Sequence, residues 1–187
     1  MLAGAATGAV LALAGCAQIG NRDGATTSEN VPGAVTLTTD DACEVCGMII
    51  PNHPGPTTEI FYPGKQPSGH ENPARFDSTW EAFNYDFERQ DRGWTRAVMY
   101  VTDYSAVDYR LFEEQGDTMI STHVNAEDFV AARKVTFVAG SEVKGAMGKD
   151  LIAFSEESDA QSFNDEWGGE LVTVDDVTPE LIAQLGM

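Results

Sequence analysis

STWEAFNYDF, residues 78–87, sets the fold of this chain. Ser78 followed at the third position by Glu81 is a capping-box pattern: the serine hydroxyl accepts from the free amide three residues on, and the glutamate reaches back. Trp80, Phe83 and Phe87 then fall at i, i+3 and i+7, one apolar stripe for burial. SDAQSFNDEW, residues 158–167, repeats the device. Ser158 and Gln161 form the second capping pattern, and Ala160, Phe163 and Trp167 form the second stripe. Gly93 and the Gly168-Gly169 pair stop the two predicted helices.

β-rich runs flank both helices. Thr58-Glu59-Ile60-Phe61-Tyr62 precedes the first, and Arg96 to Val101 follows it. Val135 to Val138 and Leu151 to Phe154 precede the second, and Glu170 to Val174 follows it. The predicted class is α+β: two ββαβ units that repeat one plan, as an internal duplication would. The first covers residues 39–101 and the second, with the C-terminal tail, residues 134–187; residues 102–133 connect them. Pro51 to Pro73, with its Pro, Gly and Ser, reads as a long loop beside the Cys43–Met48 stretch. Met99 and Met119 lie in apolar strand-like runs and read as core.

A chain of 187 residues suits one compact domain or two small ones, and 42% hydrophobic residues supply a core. Thirty acidic residues against 11 basic ones leave a net charge of −19. That surface repels phosphate backbones and excludes nucleic acid as a partner. The acid is spread along the whole chain rather than gathered in one tail. Such a pattern fits solubility in very salty surroundings, where screening removes the self-repulsion, and points to an extreme halophile.

Residues 1–15 are apolar or small without interruption and read as a signal peptide, too short to span a bilayer, which needs about 20 apolar residues. Leu13-Ala14-Gly15-Cys16 resembles a lipoprotein lipobox, which implies cleavage before Cys16 and lipid on its thiol and new amino terminus. No Lys or Arg precedes the apolar run, so the expectation is a misassigned start with a basic segment upstream. Residues 16–38, rich in Gly, Ser, Thr and Asn, read as a flexible, lipid-anchored tether. With one cysteine as anchor and two in a local motif, no long-range disulfide framework remains.

That motif is CEVCGM, residues 43–48. A redox pair is one reading, but a reactive Cys-x-x-Cys sits at a helix amino terminus. Here Cys46 leads into Gly47, Met48, Ile49, Ile50 and Pro51, a tight turn with a proline stop. Structural zinc is the second, with Cys43, Cys46, His53 and His70 as the four ligands, at a spacing that matches no standard finger or ribbon. The third is a soft cation. Cu(I) prefers thiolate and thioether, and Cys46-Gly47-Met48 offers both around a glycine that lets the backbone bend. No Ser-His-Asp order, phosphate loop or paired-carboxylate spacing stands out for enzymatic work, so a carrier is expected rather than a catalyst. The alternative is a cell-surface thiol-disulfide oxidoreductase using the Cys43–Cys46 pair.

CEVCGM, together with FDSTWEAF, YVTDY and the run KVTFVAGSEVKGAMGKDLIAFSEESDAQSFNDEWGGELVTVDDV, resembles the NosL lipoproteins over residues 43–177. The resemblance implies an outward-facing, membrane-anchored Cu(I) metallochaperone for nitrous oxide reductase, working with an associated ABC-type transporter complex. It also implies paired ββαβ units. Cys46 and Met48 fall on the family's copper-binding Cys-Gly-Met, and Met147 falls on a methionine landmark, with Ala146 where proline is expected. One Cu(I) per chain is expected. Met147, between Gly-Ala and Gly before a strand, is a candidate third ligand; the others are His123, by its imidazole, and Cys43. Cys43 could instead form a disulfide with Cys46 that blocks copper until reduced.

Overall fold

A computed structural model describes residues 31–185. The signal stretch and Cys16 lie outside the described residues. Strands β1 (Thr58–Phe61) and β2 (Ala74–Phe76), helix α1 (Thr79–Asp91) and strand β3 (Val98–Thr102) form the first ββαβ run. After β4 (Leu111–Glu114), β5 (Asp117–Ile120) and β6 (Phe129–Ala131), the second run follows: β7 (Thr136–Gly145), β8 (Gly148–Phe154), α2 (Glu157–Trp167) and β9 (Glu170–Val172). A last helix, α3, spans Pro179–Leu185.

The two runs share one connectivity. In each, the first strand pairs antiparallel with the strand before the helix and with the strand after it: β1 with β2 and β3, β7 with β8 and β9. The chain is thus α+β with the paired ββαβ plan. Residues 102–133 do more than connect: β6 extends the first sheet to the order β2-β1-β3-β6, and the β4–β5 hairpin joins the second. β7 is long enough to carry β9 on its first half and β5, parallel, at Lys144.

Alternation along the strands builds the core. Phe137, Ala139, Leu151 and Ala153 face inward with Ile60, Phe76, Val101 and Phe83, forming one apolar cluster around α1. Val138, Ile152 and Phe154 face the other way and bury Ala160 and Phe163 of α2. Helix α1 therefore packs on β1 and β2 on one side and on β8 on the other. The β8 carboxylate of Asp150 accepts from the Trp80 amide at 2.8 Å, and Trp80 Nε1 donates to the Ile182 carbonyl at 2.7 Å.

Several expectations change. Ser78 caps α1 as predicted, its Oγ accepting from the Glu81 amide at 3.2 Å. Ser158, by contrast, lies inside α2, which starts two residues earlier after Glu156. Tertiary bonds set that start: Asp103 Oδ1 accepts from the Ser155 amide and Ser105 Oγ from the Glu156 amide. Gln161 pairs along the helix with Asp165 instead of reaching back. The stretch from Pro51 to Pro73 is not one loop, since buried β1 runs through it. The last part of the supposed tether, residues 31–38, is bound to the body. Val35 donates to Glu59 Oε2 at 3.1 Å, Leu37 to the Val124 carbonyl at 2.9 Å, and Tyr100 Oη to the Pro32 carbonyl at 2.8 Å.

Candidate metal centre

Residues 42–49 close on themselves as a knuckle. Ala42 and Ile49 form an antiparallel bridge, and the Cys43 amide donates to the Met48 carbonyl at 2.9 Å. The Gly47 amide donates to the Cys43 carbonyl at 3.1 Å, with Gly47 at φ +75°. An added Cβ there would meet nothing within 4 Å, so the backbone angle alone demands glycine. The predicted tight turn is present, and Pro51 sits in the middle of a single 3-10 turn, Ile50–Asn52, after it. The knuckle is tied to β2 by the Glu44 amide, which donates to the Arg75 carbonyl at 3.0 Å.

The amino terminus of α1 faces the knuckle. Asp77 precedes the cap residue Ser78, and Glu81 lies in the first turn. Cys43, 4% exposed, donates from Sγ to Glu81 Oε2 at 2.9 Å. Cys46, half-buried, places Sγ 3.5 Å from both carboxylate oxygens of Asp77. One donor atom from each of these four residues lies within 4.8 Å of the others. Glu81 thus does not complete the capping box; its carboxylate is turned to the thiol. Hard oxygen suits hard ions, so carboxylates spread along an acidic chain give no signal for a soft-metal site. Asp77 and Glu81 were visible only through their place at a helix start that the fold aims at the cysteines.

Both thiols are free. Burial pushes the Cys43 thiol far up, reinforced by its hydrogen bond to Glu81 and the charge of Asp77. Burial also raises Cys46, with Asp77 and Glu81 adding to the shift. Burial raises the Glu81 carboxyl as well. Among the described residues, neither Asp77 nor Glu81 has an ion-pair partner. A pocket of two thiols and two carboxylates without a cationic side chain holds protons or takes up a cation.

Met48, in the same turn as Cys46, is half-buried and lines a cavity of about 290 Å³ with His53, Met119, Gly145, Ala146 and Gly148. The last three flank Met147, which is 37% exposed in the two-residue turn joining β7 and β8. That turn is clamped to the knuckle's continuation: the Ala146 amide donates to the Pro54 carbonyl at 2.7 Å. A Cβ on Gly55 would lie 2.9 Å from Gly145 Cα and 3.3 Å from the Asp77 carbonyl. The residues on either side of Met147 thus line the cavity that Met48 lines. His123 is not in the thiol-carboxylate group. Its Nε2 lies 3.1 Å from Ser121 Oγ, its ring stands edge-on to Tyr104, and burial lowers its pKa. His70 is also engaged elsewhere, with Nε2 2.5 Å from Glu44 Oε1. Met119 is a correction: it is half-buried at the cavity, whereas Met99 is core.

Comparison with known proteins bears on the same residues. A family model described as NosL matches residues 34–182. Two relatives carry the name copper-binding lipoprotein NosL. The one from Stutzerimonas stutzeri is 27% identical over 144 residues, covering 77% of this chain and 65% of that protein. The one from Achromobacter cycloclastes is 26% identical over 147 residues, covering 78% and 68%. The alignments thus span only about two thirds of these relatives' length. The crystal structure of the copper chaperone NosL from Shewanella denitrificans superposes with a TM-score of 0.63 at 28% identity, covering 80% of this chain and 98% of that one. The knuckle at residues 43–48, the helix start that faces it and the hairpin clamped beside it all lie inside the matched span. This chain belongs to the NosL family.

Proposed function

We propose that this chain is a Cu(I) metallochaperone, tethered through lipid on Cys16 to the outer face of the cell membrane, and that it supplies copper for maturation of nitrous oxide reductase. The observation that carries the reading is the pair of thiols beside two carboxylates that have no cationic partner among the described residues, with Met48 in the same turn. The names of the relatives point the same way: copper-binding lipoprotein and copper chaperone.

Cys46 is the principal ligand, because it is the less buried thiol, and Met48 supplies a thioether from the same turn. Cys43 holds the knuckle through its own amide and is the reserve thiol. Met147 is the third ligand, from the second unit, on the turn that the Ala146–Pro54 hydrogen bond holds. A thiol must lose its proton to bind, and Asp77 and Glu81 are placed to accept it and to offset the cation's charge. Delivery is ligand exchange: the acceptor's donor joins before a donor of the chaperone leaves, and the copper stays monovalent throughout. The recipients are the apo-reductase and its associated ABC-type transporter complex, with one Cu(I) carried per chain.

The thiol-oxidoreductase alternative needs a thiolate of depressed pKa, and both thiols here are pushed up. Zinc is the second reading that an observation favours, since two thiols and two carboxylates could also close around a divalent ion. Incubation of the Cu(I)-loaded chain with apo nitrous oxide reductase tests the function. Copper recovered in the re-isolated reductase, above that gained from an equal dose of chelated Cu(I), is expected. Copper that stays on this chain would remove the proposed role.

A further inference from the structure

We propose a second station for the same ion in the cavity beyond the knuckle, formed by Met119 and His53 together with Met48. The proposal deepens the copper reading and rests on it. Four methionines fall within the described residues, and their placement is uneven. Met99 is core, at 3% exposure. Met48 and Met119 line the cavity, and Met147 lies in the turn between residues that line it. Neither Met48 nor Met119 belongs to any apolar core cluster. Methionine ordinarily fills gaps among apolar side chains. Two of them facing an open cavity beside a thiol turn have no such gap to fill.

The fold puts Met119 there by an unusual pairing. Residues 117–120 lie in the segment between the two units, yet β5 adds parallel to the outer end of β7, with Met119 opposite Lys144. β7 changes register between Ala139 and Lys144, which lets its end carry a different neighbour. His53 comes from the other side, two residues past Pro51. Its imidazole has no hydrogen-bond partner among the described residues, while its carbonyl is held by Thr122. The charges at the rim are largely accounted for. Lys144 Nζ lies 2.7 Å from Asp117 Oδ1, which leaves Glu114 as the lining carboxylate without an ion-pair partner among the described residues.

Two thioethers and an imidazole are neutral donors that suit Cu(I) and hold it less firmly than a thiolate does. Met48 belongs to both stations, so the ion can pass outward without ever losing it. The Cys46–copper bond breaks as bonds to Met119 and His53 form, the thiolate takes back a proton from solvent, and the copper remains Cu(I). The outer station is the place from which a partner's ligands collect the ion.

Ag(I), a monovalent d¹⁰ ion that resists oxidation, is the probe. The Cys46→Ser protein, with methyl-labelled methionine, is titrated with Ag(I) and followed by NMR of the methionine methyls and the histidine rings. Saturable shifts of Met48, Met119 and His53 are expected, and adding Met119→Leu should weaken them at least tenfold. Shifts confined to Met48 and Met147, or none, would overturn the outer station. If Cys46→Ser does not fold, the wild-type chain titrated past its first equivalent is read at Met119 and His53: saturable shifts there are expected, and none would overturn the outer station. The copper reading fails separately, by absence of tight Cu(I) binding in the wild-type protein, whatever Met119 does.

Discussion

Glu81 has its own amide capped by Ser78, yet it turns its carboxylate outward to Cys43, with 2.9 Å between Oε2 and Sγ. One residue thus starts the helix through its backbone and shapes the candidate metal centre through its side chain. Asp77, one residue before the cap, does the same for Cys46. Positioning of both carboxylates is a by-product of where α1 begins.

Replacing Glu81 by Gln keeps the capped amide and removes a buried charge. The metal-free protein should become more stable at pH 8, because a carboxylate buried at Glu81 has no cationic partner among the described residues. The stabilisation gained on adding one equivalent of Cu(I) should shrink, since the carboxylate no longer offsets the ion. Thermal melts with and without Cu(I) read both effects.

Two glycines near the site should respond differently to alanine. Gly47→Ala costs only the left-handed backbone, about 1–2 kcal/mol, because nothing lies near the added Cβ. Gly55→Ala also forces apart the contact with Gly145, where the gap would be 2.9 Å. It should cost more and release the hairpin that carries Met147. Denaturant unfolding of the two variants ranks them; equal losses would contradict the clamp.

Glu59 and Asp150 are buried carboxyls pushed up to about 7, chiefly by burial. Each folded-state value lies above the ordinary one, so the stability they leave in place is full at acid pH and is lost as pH rises through about 7. The unfolding free energy should fall between pH 5 and pH 8, by up to about 3 kcal/mol for each group. Glu59→Gln should flatten that slope while its amide oxygen still accepts from Val35. A pH series of unfolding curves for the two proteins is the check; identical slopes would place the loss elsewhere.

Much of this was legible in the chain itself. Ser78 with the Trp80–Phe83–Phe87 stripe located α1, the Gly-Met-Ile-Ile-Pro run located the knuckle, and the repeated flanking runs suggested the paired ββαβ plan. What escaped depended on tertiary neighbours. Ser158 lost the cap because Asp103 and Ser105 hold the chain just before α2. The short β4, β5 and β6 owe their form to pairing with longer strands, not to their own patterns. Met119 looked like core because alternation shows that a strand has two faces, and only the partner strand shows which face opens to a cavity. No spacing rule could join Cys43 to Glu81 across 38 positions.

The central claim is that Cys46 and Met48 hold a monovalent copper ion in competition with protons. Titration of the fully reduced chain with Cu(I), against a Cu(I)-selective chelator and with near-UV absorbance recorded, tests it most directly. The account predicts one equivalent withdrawn from the chelator, sulfur-to-copper absorption that saturates at that point, and loss of both in Cys46→Ser. Wild-type protein that leaves the chelator's copper untouched, or Cys46→Ser that binds as tightly as wild type, would contradict it.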